Sequence, residues 1–229
     1  MREADLKSGA WSGKPAFVIL GGPSLRTFDW SLLKPFQQIV AVNRAFAEVP
    51  HADIFFTEDI QFLQRYAVGL AGFKGLKLYQ PQCAEHEKQA RQAVPSLTII
   101  PLNRPVGQKF WSKSFEEGLS YSQTSAIGAL NIADILLGPD DALYILGLDC
   151  RTDALRYETY HEGQSTGYPE PWRVGRAMLH SMKSDFENWA APNLRRPIIN
   201  LNPTSGVECW PKADRDATVT GLAEVLVRN

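Results

Sequence analysis

Small and polar residues recur at set places in this chain, each beside an apolar run. Gly21-Gly22-Pro23-Ser24 follows Ala16-Phe17-Val18-Ile19-Leu20, Asn43-Arg44 follows Gln38-Ile39-Val40-Ala41-Val42, and Thr57-Glu58-Asp59 follows Ala52-Asp53-Ile54-Phe55-Phe56. Gly147 and Asp149 follow Ala142-Leu143-Tyr144-Ile145-Leu146, Asn202-Pro203-Thr204-Ser205 follows Pro197 to Leu201, and Ser122-Gln123-Thr124-Ser125 opens an apolar stretch. Two adjacent glycines let a backbone approach a ligand closely and take positive φ. Ser24 can offer a hydroxyl or an amide to a phosphate at a helix start, and a plain strand-to-helix turn is the alternative. Gln123, Thr124 and Ser125 are more donors than one N-cap needs, at a helix end that favours anions. Asn43 and Arg44 can contact a base, a ribose or a phosphate, or merely form a turn. Glu58 and Asp59 can hold a cation or act as a base, or cap a helix. Of the four histidines, His161 is best placed for proton transfer, in a polar stretch that also carries Tyr157 and Tyr160.

Several chemistries are disfavoured by what these motifs lack. The third glycine of the dinucleotide fingerprint is missing, and no Gly-Lys-Ser/Thr follows the loop. Neither a Gly-x-Ser-x-Gly elbow nor an HExxH pair is present, which argues against a serine hydrolase or a zinc protease. A net charge of −1 argues against nucleic-acid binding driven by overall charge. Cys83, Cys150 and Cys209 have no metal-ligand spacing and read as buried free thiols of a reducing compartment. Met1 to Lys14 lacks the apolar core of a signal peptide, and no apolar run approaches the roughly 20 residues of a membrane helix. A cytoplasmic location without a membrane span is therefore expected.

The elements that must position these residues are legible from periodicity. Short, continuously apolar runs bounded by turn residues predict strands buried on both faces over 16–20, 38–42, 52–57, 75–79, 97–101, 142–146 and 197–201. Helices are predicted over 30–36 with Asp29 as N-cap, then over 59–68, 85–93, 125–137, 171–190 and 218–227. Alternating strands and helices predict one α/β domain spanning 1–229, a Rossmann-like, mostly parallel sheet with helices on both faces. Residues 102–121 and about 151–170 show no period and are expected to form a wall and a lid, with Phe110, Trp111, Tyr168 and Trp172 as stacking surfaces. In such a sheet ligands bind beyond the carboxyl ends of the strands, where the polar residues gather.

Gly-Gly-Pro-Ser-Leu after the first strand, Ala-Val-Asn after the second, and Gln-Thr-Ser-Ala-Ile-Gly-Ala before Tyr-Ile-Leu-Gly-Leu-Asp resemble the bacterial sialyltransferase-like superfamily. That superfamily includes uncharacterised phage and prophage members, and archaeal 6-hydroxymethylpterin pyrophosphokinases resemble the pattern more distantly. The resemblance runs from about Ala16 to Pro211. It implies that Gly21, Gly22, Pro23 and Ser24 lie beside a nucleotide phosphate, that Asn43, Thr124 and Ser125 contact the nucleotide, and that Gly147 and Asp149 form the Gly-x-Asp after the next strand. Tyr157 and Tyr160 fall where those transferases carry phosphate-binding tyrosines. The catalytic histidine of a Gly-His-Ser is replaced here by Gly167-Tyr168-Pro169, so His161 inherits that role. The implied activity is transfer from a CMP-sugar or similar donor to a glycan or phage-related acceptor. His161 or Asp149 would take the proton, with no cofactor required. The alternatives are a Mg²⁺-dependent pyrophosphokinase using Glu58 and Asp59 as metal ligands, or a non-catalytic nucleotide binder. The acceptor is unidentified, and self-association is left open.

Overall fold

The computed structural model describes residues 1–101, 110–120, 122, 124–151 and 176–228. In chain order it contains β1 (Ala16–Ile19), β2 (Ile39–Val42), α1 (Ala45–Glu48), β3 (Ile54–Thr57), α2 (Ile60–Gly72), β4 (Leu76–Tyr79), α3 (Ala84–Ala93) and β5 (Thr98–Ile99). There follow α4 (Ser125–Leu136), β6 (Leu143–Leu146), α5 (Arg176–Asp185), a π turn over Phe186–Ala190, α6 (Ala191–Asn193), β7 (Ile198–Asn200) and α7 (Arg215–Arg228). The expected helix over 30–36 is a single 3₁₀ turn, Trp30–Leu33, with Asp29 accepting from the Ser31 N–H as predicted for its cap.

Among the described residues the seven strands form one all-parallel sheet in the order β5-β4-β3-β2-β1-β6-β7. The predicted α/β class with a parallel sheet is thus the observed one. Register explains why the strands are apolar on both sides. Val18 sits opposite Val40 and Ile145, and Val40 opposite Ile54, so these four line one face. Ile19, Ala41, Phe55 and Leu146 pair in the same way and line the other. The first face is covered by α4, Trp11 and the π turn with Phe186 and Trp189, and the second by α2, α3, α7 and the aromatic cluster of Phe17, Phe36, Phe46 and Phe62. Burial on two sides leaves no polar stripe for these strands to show, which is why they read as continuous runs.

α4 is the central crossover helix, and every residue in it except Asp134 is buried. It packs over β1, β2 and β3. Beyond Ser125 at its first position, Asn131 is the buried polar residue within its otherwise apolar length. Its Oδ1 accepts from the N–H of Ser120 at 2.8 Å and of Ser112 at 3.3 Å, and its Nδ2 donates to Ser112 O at 2.9 Å. Gln80, just beyond β4, donates to Leu119 O and accepts from Leu119 N–H. Residues 110–120 are therefore fastened to the core rather than forming a free wall. Trp111 is 9% exposed and donates its Nε1–H to Asp134 at 2.8 Å, so it is a core side chain and not an open stacking surface. Tyr168, Trp172 and the expected lid lie outside the described residues.

Replacing Asn131 by Leu fills the same space but strands two buried amides. Each unsatisfied group costs about 1–3 kcal/mol. Urea unfolding of Asn131→Leu is expected to show a loss of about 2 kcal/mol or more. Amide exchange at Ser112 and Ser120 should accelerate beyond the general loss of stability.

Candidate functional site

The chain walks outward from β1 to β5, returns, and places β6 on the other side of β1. Strand order therefore reverses between β1 and β6, and a crevice for ligands opens at the carboxyl ends of strands at such a point. The residues that follow these strands are held by a network centred on Asp149. Asp149 is 3% exposed. Its Oδ2 accepts from the Ser24 N–H at 2.7 Å, and its Oδ1 accepts from the Ser24 hydroxyl and from Asn202 Nδ2, both at 2.6 Å. Its carbonyl oxygen accepts from the Gly206 N–H at 2.6 Å. Ser24 and Asp149, expected to face a phosphate and to move a proton, are committed to each other. They hold the loops after β1, β6 and β7 together.

The two glycines of the first loop differ sharply. A Cβ on Gly22 would lie 2.3 Å from Gly147 O and 2.6 Å from Asp149 Cγ. Nothing lies within 4 Å of the point that a Cβ on Gly21 would occupy. Gly22 is thus glycine because the fold is crowded there, whereas Gly21 is half-exposed and faces open space. Gly147 has φ +75°, a conformation that side chains resist, and its carbonyl accepts from the Gly22 N–H. Pro23 begins a 3₁₀ turn, Pro23–Thr27. Arg215, at the start of α7, donates to Ser24 O and lies 5.0 Å from the Phe28 ring centre.

The second group surrounds the start of α4. Asn43 takes φ +50°, and its Oδ1 accepts from the buried Thr57 hydroxyl at 2.7 Å. Arg44 is half-buried and stands at the N-cap of α1. Thr124 is the N-cap of α4, accepting from the Ala126 N–H at 3.3 Å. The Ser125 hydroxyl accepts from the Glu58 N–H at 3.1 Å, which ties the carboxyl end of β3 to the first residue of α4. The loop after β1 and the end of β3 are two strand spacings apart, about 10 Å.

Glu58 and Asp59 are consecutive in the connection from β3 to α2 but engage different helices. Asp59 caps α2, accepting from the N–H groups of Gln61 and Phe62. Glu58 is 5% exposed, and its Oε1 has no hydrogen-bond partner among the described residues. Burial pushes its carboxyl well above the usual range. No group of three or more His, Cys, Asp or Glu that could hold a metal ion occurs among the described residues.

Gln123, Tyr157, Tyr160 and His161 lie outside the described residues, and His180 is exposed on α5. The cysteines are free but not uniformly buried. Cys150 is buried and its thiol is pushed up to about 12, first by burial and then by the charges of Asp149 and Glu187, while Cys83 is exposed before α3. Among the described residues no helix is long and apolar enough to cross a membrane. No protein-family model matches this chain, and no curated protein or solved structure matches it. The likeness to sialyltransferase-like proteins therefore rests on the motifs alone.

Two alanine substitutions separate fold from ligand contact in the first loop. Gly22→Ala drives a methyl group into backbone and carboxylate and is expected to cost about 2 kcal/mol or more. Gly21→Ala has room and should change stability by less than about 1 kcal/mol. Denaturant unfolding of both variants checks the contrast, and equal losses would contradict it.

Proposed function

We propose that this protein binds a nucleotide or nucleotide-sugar across the carboxyl ends of β1, β2, β3 and β6, and that it is a glycosyl-type transferase. The single observation that carries the binding half is the juxtaposition at the switch point. An open, uncrowded Gly21 in a loop fixed by Asp149 lies at the same carboxyl end of the sheet as the N-terminus of a twelve-residue helix, Ser125–Leu136, which Thr124 caps and Ser125 ties to the end of β3. Helix N-termini carry positive partial charge and favour phosphate. Asn43, in its left-handed conformation beside Thr57, supplies a polar group between these two anchors.

The transferase half rests on the resemblance of the motifs. In that reading His161 takes the proton of an acceptor hydroxyl as the acceptor oxygen bonds to the sugar carbon. The bond from that carbon to the donor phosphate breaks, and Tyr157 and Tyr160 donate to the leaving phosphate. Asp149, whose oxygens already accept three hydrogen bonds, fits the task of holding the loops better than that of a base. The Mg²⁺-dependent phosphotransfer reading has less support, because Asp59 is occupied with capping α2.

A thermal-shift screen with CMP, CDP, UDP, GDP, ATP and pterins, with and without Mg²⁺, tests this reading. A ligand at 100 times its Kd stabilises by about 2.7 kcal/mol, which for a chain of this size raises Tm by roughly 5–10 °C. The expected result is such a rise with a cytidine nucleotide and no need for Mg²⁺. A rise confined to ATP or pterin with Mg²⁺ would transfer support to the phosphotransferase, and no rise with any nucleotide would contradict the proposal.

A further inference from the structure

Glu58 has no part in the mechanism above, yet its setting is unusual. Residues 54, 56 and 58 share one face of β3, so the carboxyl projects to the side covered by α4. Room for it exists because residue 128 is glycine. A Cβ there would lie 2.7 Å from Glu58 Oε1 and 2.7 Å from the Phe56 ring. Glu58 N–H donates to the Ser125 hydroxyl, leaving that hydroxyl's own hydrogen available at the first residue of α4. A buried carboxyl oxygen without a partner is costly, and natural folds rarely keep one without a use.

We propose that Glu58 is a ligand-binding residue that acts as an uncharged hydrogen-bond donor to a phosphate held at the N-terminus of α4. A carboxylate in this place would repel a phosphate, whereas a carboxylic acid donates to it. Two observations independent of each other meet here: the N-terminal end of a twelve-residue helix behind its half-buried cap Thr124, and a polar side chain 95% buried beside its first turn with an oxygen unpaired. Burial alone raises the proton affinity of Glu58, which keeps the donor form available. The charged groups around it do not oppose this. Asp59 is turned to cap α2, Arg44 begins α1 after β2, and Lys77 and Tyr79 of β4 point to the opposite face of the sheet. The only titratable side chain of α4, Asp134, is two turns beyond Gly128 and paired with Arg196. The inference rests on the phosphate-binding part of the proposed function and names the group that recognises the anion there.

The test compares wild type with Glu58→Gln, which keeps an N–H donor and cannot ionise. Calorimetric titration with CMP and with inorganic pyrophosphate from about pH 6 to about pH 9 reads the linkage. Wild-type affinity is expected to fall by about tenfold or more beyond the fall in Glu58→Gln, since one bound proton is worth up to tenfold per pH unit. Protonation of the ligand phosphate itself is common to both proteins and cancels in that ratio. Urea unfolding over the same range gives a ligand-free arm. The folded-state proton affinity is raised, so the stabilising contribution is complete at low pH and is lost as pH rises through the raised value. Wild type should therefore lose stability relative to Glu58→Gln as pH rises. Equal pH dependence of binding in the two proteins would overturn the inference while leaving the nucleotide reading intact, as would loss of binding by Glu58→Gln already at pH 6. Pyrophosphate binding with the predicted pH dependence but no CMP binding would support the inference and sink the nucleotide reading. Failure of wild type to bind either ligand would overturn both.

Discussion

A carboxylate buried at the switch point organises everything above it. Asp149 stands where the order of strands reverses, and it is satisfied by donors from Ser24 and Asn202, which lie 125 and 53 positions away. Those donors arrive from the loops after β1 and β7. Pulling both toward one residue crowds Gly22 against Asp149 and forbids a side chain there. The same pull leaves Gly21, one residue earlier, at the open edge. A buried carboxylate of this kind is strongly destabilising if its donors are removed, so the three loops stand or fall together. The geometry of the candidate site is in this sense a consequence of solvating one buried charge with protein donors.

A second constraint comes from α4. Its burial on nearly all sides fixes its N-terminus over β2 and β3, and the bond from Glu58 N–H to Ser125 sets its end against β3. Asn131 and Gln80 then carry the chain of residues 110–120 over its flank. Polar groups inside the core thus determine where the irregular segments run, while apolar register determines the sheet.

The fold was largely legible in the sequence because the strands are buried on both faces and interrupted by turn residues. Boundaries of the described elements shifted by up to four residues, most at the end of α2, and the π turn at Phe186–Ala190 left no recognisable mark. The site was legible only as a collection of strand ends. That Ser24 and Asp149 satisfy each other could not be read from residues so far apart, and Arg215, 191 positions from Ser24, carried no local signal. Glu58 and Gln80 were different. Both continue the alternation of the strand before them onto the face covered by α4, so extending the period by one step past each strand would have marked them as buried polar residues.

The claim at the centre of this account is that the carboxyl ends of β1–β3 and the start of α4 form one phosphate-bearing site. An amide-resolved NMR titration with a cytidine nucleotide tests it most directly. The account predicts that resonances of Gly21, Asn43 and Ser125 move together along a single binding curve, while those at the opposite end of the sheet, such as Ala16 and Leu143, stay in place. Shifts confined to the opposite end, or to only one of the three residues, would contradict it.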